Sequence, residues 1–468
     1  MRARSAGTRG SLALIAVVLG MSLLASCASS SSSSAAPSSS PTSSTPATSS
    51  PTEASSSPSL LPPETLTFGV IGTSGEIEQY QLMADSYAPL TRKVTVKVES
   101  WPTAAAMIEA FREGAPVPDV FLASRRHLDF LVQHQLVQPV DQLLDDRGFD
   151  FGDEYPRSTL TAFAADNRLE CLPYDIQPSV VYYNTKLVDF DQIRNDPPKA
   201  GEGWTLEQFA RAGRWAVRHH PGVAGMYLEP TLSGLAPFVY SGGGDLYDDD
   251  TQPTSLAFSS ETNVDSLTQV VTALQSPRAT LTDDQLAKRS ALAWFERGKL
   301  ALLQGDSHMV PELRESGVHF DVMPMPRVAS SATVGSLTGM CLSSKPRDVG
   351  VAADFLVYAN SPGALDLVSY AGYLQPANQT VALSDAFQQP GRLPHHASVF
   401  TFSVKSMRFP PVVDQSDELD LAVEPWLERL VRGTPEEVPR LTRKIDRASY
   451  RVLGPKLGPT AIPSQSGG

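Results

Sequence analysis

The chain has 468 residues, 41% of them hydrophobic and 19% charged, with a formal net charge of −13. That acidic balance argues against nucleic acid or anionic lipid as a partner bound by charge. Setting aside a biased N-terminal stretch leaves about 400 residues of ordinary composition, more than one hydrophobic core usually supports, so two domains are expected.

The N-terminus carries Arg2, Arg4 and Arg9, then an apolar run over 12–24, then small residues leading to Cys27. This is the layout of an export signal over 1–26, and its apolar run is too short to span a bilayer comfortably. Leu24-Ala25-Ser26-Cys27 resembles the lipobox of bacterial lipoproteins, which implies that Cys27 is acylated and becomes the mature N-terminus. Stable anchoring takes more than one acyl chain, as bacterial lipoproteins have. The expected location is the extracytoplasmic face of the cell membrane, held there by a lipid anchor. Residues 27–63 are nearly all Ser, Thr, Ala and Pro without apolar periodicity, and read as a disordered tether. As a flexible coil of about 36 residues it would span about 35 Å, and about 110 Å when drawn out.

Beyond the tether, strand-like and helix-like segments alternate, as in an α/β protein. Residues 66–71 form a short apolar strand closed by the turn Gly72-Thr73-Ser74-Gly75. Lys93-Val94-Thr95-Val96-Lys97-Val98 alternates strictly, the mark of a half-buried strand. One helix is expected between these strands and another over 104–111, where Met107, Ile108 and Phe111 share a face. Residues 118–123 read as a buried strand, and 127–137 as a helix with Leu128, Leu131, Val132 and Leu136 on one side. Thr205 is placed to cap a helix whose stripe is Leu206, Phe209, Ala210, Gly213 and Val217. Helical spacing recurs at 351–359 and 421–431, and the tail over 456–468 is expected to be flexible.

The sequence holds no nucleophile elbow, no phosphate-binding loop and no His-Glu-x-x-His helix. His219-His220 and His395-His396 are adjacent pairs beside loop-forming residues and would not face one way on a helix. Asp145-Asp146 and Asp248-Asp249-Asp250 are runs rather than separated pairs, which reads as solvated turns. No catalytic residue, metal or cofactor is expected. Cys171 and Cys341 each lie in a short apolar segment, where two buried free thiols and one disulfide are both open readings.

Several segments stand in a fixed order. Pro118-Asp119-Val120-Phe121 precedes Gln135-Leu136-Val137-Gln138-Pro139-Val140, and Leu172-Pro173-Tyr174 precedes Val181-Tyr182-Tyr183-Asn184-Thr185-Lys186-Leu187. Gly203-Trp204-Thr205-Leu206-Glu207-Gln208-Phe209 comes next, then Gly242-Gly243-Gly244-Asp245 and Trp294-Phe295-Glu296-Arg297-Gly298-Lys299-Leu300-Ala301. Phe355-Leu356 and Tyr373-Leu374-Gln375-Pro376 complete the series. Each segment alone is a weak sign. In this order, over nearly the whole mature domain, they resemble the extracellular solute-binding proteins of ABC importers, especially those that take up sugars. The resemblance implies an α/β, two-lobe periplasmic-binding-protein-like fold with hinge-crossing strands, a ligand cleft between the lobes, and closure about the hinge. Lobe one would be 64–173 plus 341–385, and lobe two 178–335 plus 390–455. The crossings near 173–177 and 336–341 would then be neighbours, which favours a bridge between Cys171 and Cys341.

By the same resemblance the chain is no enzyme but a monomer that delivers a small polar solute, in first place a sugar, to ABC permease subunits in the membrane. A solute sensor for a membrane receptor and a secreted hydrolase are the competing readings. A cleft of this kind needs convergent polar groups and apolar faces, which loops at strand ends provide. The expected ligand-binding residues are Ser74, Gly75 and Glu76 after the first strand, and Ser124, Arg125 and Arg126 after the third. Tyr174, Asp175 and Gln177 are added from the crossing strand, with Gly243, Gly244, Asp245, Asp306 and Ser307 from the second lobe. Sugar-binding members often carry a stacking Trp where this chain has Gln304-Gly305-Asp306-Ser307-His308, so Trp101 is a candidate replacement. Arg125 and Arg126 could instead favour a carboxylate or phosphate on the ligand.

Overall fold

In the computed structural model the described residues are 61–89 and 92–455. The export signal over 1–26, Cys27, the tether as far as residue 60 and the tail over 456–468 lie outside them.

Strand β1 (Leu61–Ile71) turns Leu66, Phe68 and Val70 inward, each at most 2% exposed. It pairs in parallel with β2 (Arg92–Trp101) and β3 (Val120–Ser124). β1 begins inside the stretch expected to be tether. Leu61 pairs with Arg92, and the register slips before Glu64, where Pro62 and Pro63 have no N–H for the ladder. After β3 the expected helix over 127–137 is shorter than its apolar spacing suggests. A 3-10 turn Arg125–His127 leads into the helix Leu128–Gln133, and Gln135 then adopts a left-handed φ of 53°. The N–H of Leu136 donates to the Leu131 carbonyl at 2.9 Å, a Schellman stop that releases β4 (Val137–Gln138).

A small ribbon, β5 (Ala164–Ala165) with β6 (Arg168–Leu169), precedes the longest buried strand, β7 (Cys171–Pro178). Only Ser179 separates β7 from β8 (Val180–Asn184), which belongs to a second sheet with β9 (Ala224–Tyr227), β10 (Leu300–Gly305) and β11 (Phe320–Pro324). That sheet runs in the order β11-β8-β10-β9. The chain returns in β12 (Gly335–Ser343), which pairs antiparallel with β7, β3 and β4. The first sheet is therefore β2-β1-β3-β12-β4, with β7 added on β12. A third segment lies along the crossing: Ile176 N–H donates to the Gln375 carbonyl and Ala377 N–H to the Tyr174 carbonyl, both at 3.0 Å.

Each sheet has its own core. Phe68, Met107, Ile108, Phe111, Leu172 and Phe355 pack around the first, in keeping with the face expected for 104–111. In β8 the period of two is plain: Val181 and Tyr183 face one cluster of the second sheet, Val180 and Tyr182 the other. The helix Leu206–His219 buries Leu206, Phe209, Ala210, Gly213 and Val217, and starts at a capping box between Thr205 and Gln208. A Cβ on Gly213 would stand 2.6 Å from Met226 Cε, the movable end of that side chain, so helix and β9 pack closely there.

Cys171 and Cys341 face each other in the β7–β12 ladder and form a disulfide, with Cα atoms 4.3 Å apart. Closing a chain segment of this length removes much freedom from the unfolded state. Replacing both cysteines by Ala should lower stability by about 2–5 kcal/mol in urea denaturation. An unchanged midpoint would show that the strand ladder alone holds the crossing.

Candidate functional site

A cavity of about 560 Å³ opens where the two sheets meet. Its first-sheet side is Ser124, Arg125 and Arg126 at the end of β3, with Ser336 and Leu337 from β12. Its second-sheet side is Glu229 to Gly234 after β9, with Gln304, Gly305 and Asp306 at the end of β10. Strands that end at the same level deliver these turns together. The remaining wall is the segment from Phe409 to Val413 and one face of the helix Ser416–Arg432, with Asp420, Leu421 and Glu424. Tyr247 and Phe409 supply the aromatic faces.

Of the residues expected to bind ligand, Ser124, Arg125, Arg126 and Asp306 line this cavity. The two arginines do not stand free in it. Arg125 Nη1 donates to the Pro410 carbonyl at 2.7 Å and Nε to the Ala162 carbonyl at 3.2 Å, while its guanidinium lies 5.8 Å from the Phe409 ring centre. Arg126 pairs with Asp420 at 2.5 Å and Asp417 at 3.3 Å, and donates to Ser416 Oγ at 3.0 Å. Arg126 and Arg125 Nη1 reach across to the C-terminal wall and Arg125 Nε holds Ala162 on their own side, so an oxyanion-binding role for the pair is not favoured.

Glu76, Asp175, Gln177, Ser307 and Asp306 come together instead around His308, a residue the sequence reading treated only as part of a missing Trp motif. His308 Nε2 lies 3.5 Å from Glu76 Oε1 and 3.7 Å from Asp175 Oδ2, and its Nδ1 lies 3.6 Å from Asp306 Oδ1. Gln177 Nε2 donates to Asp175 Oδ1 at 2.6 Å, and the Ser307 hydroxyl donates to Gln177 Oε1. Burial pushes the Asp175 carboxyl up to about 7, with the Asp306 and Glu76 charges adding to it against His308 and the Gln177 hydrogen bond. Burial works against a charge on His308, but the close approach of Asp306 and the charges of Asp306, Asp175 and Glu76 outweigh this and raise it to about 10.

The other expected residues serve the fold. Ser74 and Gly75 open the helix Ser74–Asp85, and a Cβ on Gly75 would meet Tyr373 Oη at 2.5 Å. Trp101 packs edge-on against Phe111 at 5.8 Å and does not line this cavity. Tyr174 is buried in the first core, 6.4 Å from Tyr80. Gly243, Gly244 and Asp245 end the helix Leu232–Ser241: Gly243 has φ 90°, and a Cβ on Gly244 would collide with Asn263 Oδ1. They form a cap and a close helix contact, and none of them lines the cavity. Glu229, Tyr247, Gln304, Phe409, Asp420 and Glu424 escaped the sequence reading. Burial, and next the charge of Asp306, raises the Glu229 carboxyl above its ordinary range. Gln304 alone carried a usable signal, as a polar residue ending an otherwise apolar strand.

The chain belongs to the bacterial extracellular solute-binding proteins, whose family profile matches residues 83–395. As a member of that family it is a solute-binding protein with an extracytoplasmic location. An ABC substrate-binding protein of Listeria monocytogenes in complex with cycloalternan is similar in fold, with a TM-score of 0.69 at 17% identity, over 83% of this chain and 98% of that one. The GacH receptor of Streptomyces glaucescens, solved unliganded and with acarbose, gives 0.66 at 17% identity over 82% and 98%. A maltose-binding periplasmic protein MalE of Listeria monocytogenes, in complex with maltose, gives 0.64 at 19% over 83% and 98%. The two-lobe, maltose-binding-protein-like architecture expected from the motifs is thus the one present. A comparison with curated protein sequences returns no match. Among the described residues no helix is long and apolar enough to cross a membrane, and no cluster of His, Cys, Asp and Glu could hold a metal ion.

The His308 cluster fixes a pH dependence. The folded state holds the His308 proton above its unfolded value of 6.5, so the stabilisation is complete below that value and is lost as pH rises towards about 10. Asp175, raised from 3.8 to about 7, adds a loss of the same sign between those two values. Urea midpoints should therefore fall on the alkaline side, and His308→Gln should remove the part above about pH 6.5. A flat wild-type profile in that range would exclude a charged ring in the cluster.

Proposed function

We propose that the protein captures a carbohydrate in the cavity between its lobes and hands it to the permease subunits of an ABC importer. The observation that carries this reading is the cavity itself: about 560 Å³, with carboxylates, amide and hydroxyl groups converging beside Tyr247 and Phe409. That volume is within the usual range for small-ligand sites, and the mixture suits a solute with both hydroxyl edges and apolar ring faces. The structural neighbours that hold cycloalternan, acarbose and maltose support the same class. The lobes are 64–173 plus 341–385 and 178–335 plus 390–455, and the working unit is a monomer. Cys27 carries the lipid anchor and the Ser/Thr/Pro tether holds the domain clear of the membrane.

In this reading Glu229 accepts hydrogen bonds from hydroxyls, on a turn held by Gln304, whose Oε1 accepts the Glu229 N–H and whose Nε2 donates to the Gly234 carbonyl, while Tyr247 and Phe409 cover a ring face. Calorimetry with maltose, maltotriose and cyclic glucans tests it. Glu229→Gln should weaken binding about ten- to a hundredfold, since a hydrogen bond to a charged group contributes about 1.5–3 kcal/mol. Absence of binding by every sugar, sugar phosphate and polyol refutes the assignment. Cys27→Ala should move the protein from the membrane fraction to the medium, and unchanged fractionation would remove the anchor from the proposal.

A further inference from the structure

The cluster around His308 joins parts of the molecule that belong to different lobes. His308 stands on the turn Ser307–Met309, directly after β10 of the second sheet. Glu76 stands in the first turn of the helix after β1, and Asp175 on the crossing strand β7. Both carboxylates are well buried, with side chains 12% and 6% exposed.

Each carboxylate has one oxygen committed elsewhere and one turned to the ring. Glu76 Oε2 accepts from Thr73 N–H at 2.6 Å and Thr73 Oγ1 at 2.9 Å, which leaves Oε1 facing His308. Asp175 Oδ1 accepts from Gln177, which leaves Oδ2. The other ring nitrogen faces Asp306 Oδ1, which also accepts the His308 backbone N–H at 3.1 Å. Carboxylate oxygens stand 3.5–3.7 Å from both ring nitrogens, which favours the imidazolium, the form that carries a proton on each. Gln177 Nε2 also faces the ring at 3.4 Å, but its hydrogens go to Asp175 and to the Tyr373 carbonyl. The remaining titratable groups near these carboxylates are the phenols of Tyr80, Tyr174 and Tyr373, with the Tyr182 phenol and Glu229 beside Asp306. Among the described residues no lysine or arginine forms an ion pair with Glu76, Asp175 or Asp306.

We propose that His308 is a positioning residue for solute capture: its imidazolium clasps the second lobe to Glu76 and Asp175 of the first, so that closing the cleft takes up a proton. The solute side of this statement rests on the proposed function. The clasp itself rests on the cluster alone. When the lobes part, the turn carrying His308 leaves with the second lobe, and the ring returns to water with its ordinary affinity for protons. The two buried carboxylates, facing one point with no cation between them, then disfavour closure. The raised proton affinity of the ring, to about 10, has the same sign.

The test is made on the full chain in detergent, comparing wild type with His308→Gln and His308→Lys. Ring titration by NMR and lobe separation by small-angle scattering need no ligand. The wild-type ring should titrate far above an ordinary histidine, and the radius of gyration should rise as the ring loses its proton. His308→Gln should be pH-insensitive over that range, and His308→Lys, which keeps a cation, should stay closed. Maltotriose affinity should fall by up to about tenfold per pH unit above about pH 7 in wild type and stay level in the lysine variant. A ring that titrates near 6.5, or wild type and His308→Gln opening together at every pH, overturns the clasp. Proton-dependent closing without maltotriose binding leaves the clasp standing and counts against the carbohydrate assignment instead.

Discussion

The pairing of β7 with β12 is the constraint on which the rest of this molecule depends. β7 is buried along its whole length, passes from the first core to the second sheet through a single residue, and meets β12 returning in the opposite direction. Neither strand could be exposed at such a junction without leaving apolar side chains and ladder groups in water. The ladder therefore brings the sheets together at one place. Ser179, Gly335 and Ser336, which sit at that place, are also part of the cavity lining. The joint and the binding surface are built from the same residues, so the position of the cleft follows from the topology.

What shapes the cleft on its far side is a set of contacts between Arg125, Arg126 and the C-terminal segment. Arg126 is 40% exposed and Asp420 44%, so their ion pair contributes at most about 1 kcal/mol. That is enough to favour one placement of the segment from Phe409 to Val413 and too little to lock it. The Arg125 donor to the Pro410 carbonyl is of the same kind, local positioning that a moving lobe can exchange for water, while its donor to Ala162 stays within the first lobe.

Fold and site differed in how far they could be read in advance. The half-buried alternation of 93–98, the Thr205 cap and the stripe from Leu206 to Val217 are local patterns, and local patterns carry over because each helix or strand buries one face. The ordered motifs extended this to the two-lobe architecture. The reading departed from the structure where one residue overrode periodicity, as Gln135 did by ending a helix early, and the glycines expected in the cleft stand at a helix end. The cavity was harder to read because Glu229, Tyr247, Phe409 and Glu424 come from separate segments and share no motif. His308 was missed for a related reason: its meaning lies in the carboxylates that β1, β7 and β10 bring to it, none of which is its close neighbour in sequence except Asp306.

Three lengths of chain lie side by side between the sheets: β7, β12 and the stretch from Gln375 to Ala377. A single tether would let one lobe swivel and slide freely against the other. Two antiparallel tethers, β7 and β12, with the first-lobe stretch from Gln375 to Ala377 hydrogen-bonded along β7, form a band, and a band can bend about an axis across its width but resists twisting, shear and extension. The lobes are thus left with one easy rotation, the one that opens and shuts the mouth of the cleft, and the Cys171–Cys341 bridge at the first-lobe end of the band keeps that end from fraying as it bends.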